Sequence, residues 1–301
     1  MNPTLLNASE PRAAGIGPSD EWALGAILVD FHCMNWPAVH AVLQEQSRTG
    51  EIFGQVAVRL GMIRAADLDK ALARQFRTPK LGLNEGSLNR DLVIIAAPDS
   101  QEANAIRRLR AALLHRCFSS NMAGKSLVIA SAGKAEGKSY VAANLAASFA
   151  QLGKRTLLVD GDLRRGRQHE IFGIGNVSGL STMLAGRSGD HSIQRIGDNG
   201  ELGILPRGPN PPHPEEMTSQ AGFRSLIASV CNDFDVVLID TPPLCDGTDV
   251  QSMAATAGAA LVVAHRHRTR ALEMTELLAA IQIAGASIVG SVMNSFSGKA
   301  I

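Results

Sequence analysis

The stretch Ser131-Ala132-Gly133-Lys134-Ala135-Glu136-Gly137-Lys138-Ser139 constrains this chain more than any other. An apolar run, Leu127–Ala130, leads into it. An apolar helical pattern from Val141 to Gln151 follows and stops at Gly153. A strand, a glycine-bearing loop ending in Gly-Lys-Ser and a helix form the context in which backbone N–H groups converge on phosphate oxygens. The helix N-terminus adds partial positive charge at the same point. In that arrangement Lys138 reaches the β- and γ-phosphates of a nucleotide, and the Ser139 hydroxyl meets Mg²⁺. Gly133, Lys134, Ala135, Glu136, Gly137, Lys138, Ser139 and the adjoining Tyr140 are therefore the expected nucleotide-binding residues. Ala132 stands where such loops carry their first glycine.

The rest of the chain from Ser100 onward alternates apolar, β-branched runs with helical patterns. Strands are expected at Leu127–Ala130, Thr156–Val159, Leu202–Leu205, Val236–Ile239, Ala260–Ala264 and Ile288–Met293. Runs this continuously apolar suit strands covered on both faces. The expected fold is α/β, a P-loop NTPase with a mostly parallel sheet flanked by helices, preceded by a small all-α domain.

Residues 1–20 show no hydrophobic period and read as a tail. Residues 21–80 carry helical periodicity and a weak internal repeat offset by 29 residues, in which Gly25, Val29 and Gln46 meet Gly54, Val58 and Gln75. Each repeat reads as a short helix, a turn and a longer helix. Residues 81–100 are the expected linker, with Leu92–Ala97 as a further candidate for an edge strand, and 101–301 form the P-loop domain.

A nucleotide held by Lys138 needs carboxylates to position Mg²⁺ and to accept a proton. They are expected at the carboxyl ends of neighbouring strands. Leu157-Leu158-Val159 ends in Asp160-Gly161-Asp162-Leu163-Arg164, and Val237-Leu238-Ile239 ends in Asp240-Thr241-Pro242-Pro243. The candidate catalytic residues are Lys138, Asp160, Asp162 and Asp240. The candidate metal ligands are Ser139, Asp160 and Asp240.

The loop 132–139 together with LLVDGDLRR and VVLIDTPP is similar to the bacterial tyrosine kinases of exopolysaccharide biosynthesis, over about residues 101–301. Further matches are Gly179-Leu180-Ser181, Leu184-Ala185-Gly186 and the run from Gly208 to Glu216. The resemblance implies binding of ATP and Mg²⁺ and phosphoryl transfer to a tyrosine hydroxyl. Asp160 would be base and magnesium organiser, with Asp162 and Asp240 around the metal and Asn294 contacting adenine. It also implies a separate transmembrane chain-length determinant as partner. Residues 21–80 resemble the N-terminal domain of type II secretion and pilus-extension ATPases. The arginine with which some of those domains open each nucleotide-binding unit is missing before Leu24-Gly25 and Phe53-Gly54, so a docking or packing role is expected ahead of nucleotide binding.

Two departures matter. Family members that phosphorylate themselves use a C-terminal tyrosine cluster, whereas Tyr140 is the one tyrosine here, so the acceptor is expected on another chain. The family's ring-closing Glu-x-x-Arg-x-x-Arg motif survives as Arg107 and Arg110, with Asn104 in place of the glutamate. Assembly into a homo-oligomer through those arginines is one reading, and a solvated helix face is the other. The basic run His265–Arg270 reads as a solvated loop or as a phosphate contact.

With 29 basic and 28 acidic residues the chain has no general drive toward nucleic acid or anionic lipid. Cys33, Cys117, Cys231 and Cys245 lack metal-ligand spacing and read as free thiols of a reducing cytosol. No secretory signal is visible, nor any apolar run near the ~20 residues that cross a bilayer. The expected location is cytoplasmic, at the inner face of the plasma membrane, with membrane contact only through the partner. Two alternatives remain: a partition or septum-site type of nucleotide switch, whose signature lysine would stand at Gly133, and a non-catalytic nucleotide-dependent regulator.

Overall fold

A computed structural model describes residues 24–75, 89–118, 124–187, 192–197 and 200–295. The chain divides after Thr78 into two compact units.

The first unit holds α1 (Leu24–Asp30), α2 (Trp36–Thr49), α3 (Phe53–Arg59) and α4 (Ala65–Gln75), the short–long, short–long order that the repeat predicts. Its core of Ile27, Leu28, Met34, Val39, Val42, Val56, Ala57, Ile63 and Ala71 contains repeat-related pairs such as Met34 and Ile63. Each short helix packs chiefly on the long helix of the other repeat, α1 on α4 and α2 on α3. Gly25 and Gly54 permit the tightest approaches within each repeat. A Cβ on Gly25 would come within 2.9 Å of Val39 Cγ1, and one on Gly54 within 2.7 Å of Leu68 Cδ1. The turn after each short helix passes through a left-handed residue, His32 at φ 56° and its equivalent Gly61 at φ 68°. Asn35 then caps α2, its Oδ1 accepting from Ala38 N at 3.0 Å, a device worth ~1 kcal/mol.

The second unit is a seven-stranded sheet of order β3-β4-β2-β5-β1-β6-β7. Its strands are β1 (Ser126–Ser131), β2 (Thr156–Asp160), β3 (Gln194–Ile196), β4 (Leu202–Leu205), β5 (Val236–Asp240), β6 (Ala259–His265) and β7 (Ser287–Asn294). All neighbours pair parallel except β3, which runs antiparallel to β4. β3 was not expected; it has three residues, of which only Ile196 is buried, so its apolar signal is too short to read.

Alternation along the central strands serves two cores. Leu127, Ile129, Leu158 and Leu238 pack under α6 (Gln101–Arg116) and α7 (Lys138–Ala150). Val128, Leu157, Val159, Val237 and Ile239 pack on the opposite face with α11 (Ala221–Asp233), α12 (Asp249–Ala257) and α13 (Ala271–Ile283). That double cover is why the strands read as unbroken apolar runs. From Val141 to Ala150 every residue of α7 is buried, and small alanines let it sit close between sheet and helices.

The expectation of an edge strand at Leu92–Ala97 is corrected. Val93–Ala96 form a short helix, α5, with Leu92 and Ile94 fully buried in the core beside α7. Asn144 of α7 holds this segment: its Oδ1 accepts from Ile94 N at 3.1 Å, and its Nδ2 donates to Asp91 O at 2.7 Å. A β-branched run has strand propensity, but here burial of its apolar side chains decides. The half of the expected linker from Asn89 onward is thus packed into the sheet unit. Three short helices precede the second half of the sheet: α8 (Gln168–Phe172), α9 (Leu180–Leu184) and α10 (Pro214–Ser219).

Candidate functional site

Because β1, β2 and β5 are parallel neighbours, their carboxyl ends emerge together. The loop after β1 enters α7 through Gly137, which caps the helix at φ 96°. A side chain at Gly137 would also collide with the Asn294 amide, so both backbone shape and space demand glycine. Ala135 adopts φ 55°. Ala132, at the usual first glycine, is buried in the second core, and its carbonyl accepts from Cys245 N at 3.2 Å. Lys138 is only 8% exposed. Lys134 instead points to Asp246, with Nζ 2.7 Å from Oδ1.

Asp160 and Asp240 end β2 and β5 and are register partners. Both are fully buried. Gln168 spans them: its N–H donates to Asp160 Oδ2 at 3.0 Å, and its Nε2 donates to Asp240 Oδ2 at 2.9 Å and to Ser139 O at 3.1 Å. The remaining oxygen of each carboxyl, Oδ1, meets no donor. Burial pushes the Asp160 carboxyl well above the usual carboxylate range, and neighbouring Asp240 pushes it further, against the pull of the Gln168 N–H. Burial raises Asp240 also, while the Lys138 ammonium and hydrogen bonds from Ser139 and Gln168 draw it back. Two buried carboxyls with unused oxygens beside Lys138 and Ser139 suit a divalent cation shared with phosphate. Among the described residues no three His, Cys, Asp or Glu side chains converge as a metal site, so phosphate oxygens and the Ser139 hydroxyl would have to complete the shell.

Asp162 is placed differently. Its Oδ1 accepts from Arg164 N at 3.2 Å and Arg165 N at 2.9 Å, closing the turn after β2. Arg164 extends to Asp249 at 2.6 Å and Glu215 at 2.8 Å. Arg207 donates to Gly166 O at 3.0 Å. Around it the segments Gly179-Leu180-Ser181 and Gly208-Pro209-Asn210 meet, with Ser181 N bonded to Arg207 O at 3.0 Å and Ser181 Oγ to Pro209 O at 2.7 Å. Motifs far apart in sequence thus brace the loop that follows Asp160.

The basic run after β6 reaches the phosphate loop. Thr269 Oγ1 donates to buried Glu136, whose other oxygen accepts from Gly133 N at 3.0 Å. Arg268 donates to Ala135 O at 3.3 Å, and Asn294 Nδ2 to Glu136 O at 3.1 Å. Sequence reasoning missed Thr269 and Gln168, since neither belongs to a contiguous motif. Tyr140, expected with the nucleotide residues, packs against the core of α6 and α7. Burial and the charges of Glu102 and Asp91 hold its phenol up to about 12. Arg107 and Arg110, for which a subunit contact and a solvated helix face are the two readings, both make hydrogen bonds within the chain. Arg110 donates to Ser148 O at 2.8 Å, and Arg107 to Pro98 O at 2.6 Å.

No protein-family model matches the chain. It is, however, 32% identical over 212 residues to the tyrosine-protein kinase YwqD of Bacillus subtilis, covering 70% of this chain and 89% of that one. The chain belongs to the bacterial tyrosine-protein kinases. Membership makes it a P-loop enzyme of the tyrosine-kinase class. The tyrosine-protein kinase Wzc of Salmonella typhimurium is 34% identical over 209 residues, which are 69% of this chain and only 29% of that longer protein. The kinase domain of the Escherichia coli tyrosine kinase ETK superposes with a TM-score of 0.64 at 30% identity, covering 70% of this chain and 82% of that domain. The α/β fold with its mostly parallel sheet is the one these kinases share.

Proposed function

We propose that this bacterial tyrosine kinase binds ATP with Mg²⁺ and transfers the γ-phosphoryl group to a tyrosine hydroxyl of another chain, working with a transmembrane chain-length determinant of exopolysaccharide biosynthesis. The observation that carries the reading is the buried pair Asp160 and Asp240, each with an unused oxygen, beside Lys138 and Ser139. Mg²⁺ held by Ser139, Asp160 and Asp240 would neutralise charge on the β- and γ-phosphates. The N–H groups of residues 133–139 cradle the phosphates, and Lys138 supplies a fixed positive charge where negative charge builds on the departing ADP. Asp160, at the end of β2 beside the phosphate loop, is the base that would take the tyrosine proton as the phenolic oxygen attacks phosphorus and the bond to ADP breaks. Asp162 keeps the loop in shape, and Asn294 lies beside Gly137 where it can also meet the base.

The helical unit is assigned to docking. The chain works at the inner face of the plasma membrane through its partner. Assembly with further copies engages the helix that carries Arg107 and Arg110. A second reading, nucleotide-controlled docking without turnover, is favoured by Tyr140, whose packing leaves no acceptor tyrosine among the described residues. A partition-type switch fits less well, because Gly133 stands where its lysine would be and Lys134 is paired with Asp246.

ATP hydrolysis and phosphotyrosine formation, measured with the cognate membrane protein present, test the reading. Lys138→Ala is expected to lower both by ~10²-fold or more. Equal inactivity of wild type and Lys138→Ala overturns the kinase assignment, and nucleotide-dependent binding to DNA or lipid vesicles replaces it with a switch.

A further inference from the structure

Gly166 explains how the chain crosses the site. A Cβ there would overlap the Asp160 carboxyl, so the main chain runs directly against that side chain and delivers residue 168 to it. Gln168 is then fully buried, and its amide orientation is fixed by chemistry. Its NH₂ faces two acceptors, Ser139 O and Asp240 Oδ2; turned over, the amide would set oxygen against oxygen. Its Oε1 consequently lies on the far side, buried and without a donor. Three side chains joined by these bonds, Asp160, Asp240 and Gln168, therefore each keep one buried oxygen unbonded.

We propose that Gln168 is a positioning residue for the phosphoryl-transfer site: by occupying Oδ2 of both carboxylates, with its main-chain N–H on Asp160 and its amide on Asp240, it reserves their Oδ1 atoms for the cation that accompanies the nucleotide. This rests on the Mg²⁺–nucleotide reading above. Three independent elements meet at one residue: the end of β2 through its main-chain N–H, and the end of β5 and the first turn of α7 through its amide. Loss of its amide removes one of the two hydrogen bonds that orient Asp240 and lets that carboxyl turn, while the phosphate loop and Lys138 stay as they are. The expected signature is therefore a fault in the use of the cation, with nucleotide binding itself spared.

The experiment titrates Mg²⁺ against a fluorescent ADP analogue in the full chain, for wild type, Gln168→Leu and Gln168→Asn. Gln168→Leu should bind the analogue in EDTA within about twofold of wild type and need ~10-fold more Mg²⁺ for half of the Mg²⁺-dependent gain. Gln168→Asn keeps the main-chain bond to Asp160 but is one methylene short of Asp240, and should fall between the two. It also decides the matter if the leucine variant does not fold. Asp240→Asn and Gln168→Leu combined should cost less than the sum of the single changes, since the amide acts through Asp240. An unchanged Mg²⁺ requirement in a folded Gln168 variant, or full additivity, overturns the proposal. If wild type shows no Mg²⁺-dependent binding, the nucleotide reading falls with it.

Discussion

Asp160 and Asp240 stand opposite each other as register partners on adjacent parallel strands, fully buried, and neither Oδ1 meets a donor. Like charges at that separation from water cannot both ionise without a compensating cation. In the proposed reading, a cation shared with phosphate would supply that compensation.

This gives a stability profile. Both carboxyls lie above their ordinary value of 3.8 in the folded chain, Asp160 well above it. The folded state keeps protons that the unfolded state releases from about pH 4 upward, so stability falls as pH rises through that window. Denaturant unfolding without divalent ions should show wild type weaker at pH 8 than at pH 5. Asp160→Asn should flatten the slope and add about 1–3 kcal/mol at pH 8, while abolishing phosphoryl transfer. An identical slope in the variant would exclude Asp160 as the source.

The phosphate loop depends on Gly137 for two separate reasons. Gly137→Ala meets both a left-handed backbone and the Asn294 amide, and should lose nucleotide binding together with at least ~1–2 kcal/mol of stability. Adding Asn294→Gly should restore only the steric share. Isothermal titration and thermal melting of the single and double variants separate the two; complete rescue would show that the backbone is unstrained.

Thr269 ties the loop after β6 to Glu136. Thr269→Val keeps the shape and removes the donor, and should weaken nucleotide binding about three- to tenfold, the worth of one hydrogen bond. Direct binding measurements check this, with kcat expected to stay near wild type. A fall in kcat alone would put Thr269 in the chemistry instead.

In the helical unit, Gly25→Ala and Gly54→Ala each force a Cβ against the following long helix, at Val39 and Leu68. Each should cost ~1–3 kcal/mol, the range for overpacking. Pairing Gly54→Ala with Leu68→Val should recover part of that loss in thermal melting, and no recovery would place the strain elsewhere.

What could be read from the sequence follows how local each signal is. The strand, turn and helix around residues 131–139 and the places of Asp160 and Asp240 at strand ends were legible because contiguous residues carry strand, turn and charge together. The sheet strands were legible because burial on both faces leaves long apolar runs. Gln168 was invisible: it lies eight residues past Asp160 in a segment without pattern, and matters only because Gly166 lets the chain close over that carboxyl. Thr269 was hidden inside a basic run whose charges draw attention first. The segment Leu92–Ala97 misled because Val93, Ile94 and Ile95 favour strand, and only Asn144, some fifty residues on, supplies the partner that makes it helical.

The exchange of partners in the helical unit, α1 on α4 and α2 on α3, also fixes what half of the unit could do alone. A single repeat keeps its apolar stripe covered mainly by the other repeat, so half of the unit would have no closed interior of its own. Two copies associating around a two-fold axis would have. The short connection Gly50–Ile52 replaces such a meeting of separate molecules by one within a single chain, which does not weaken on dilution.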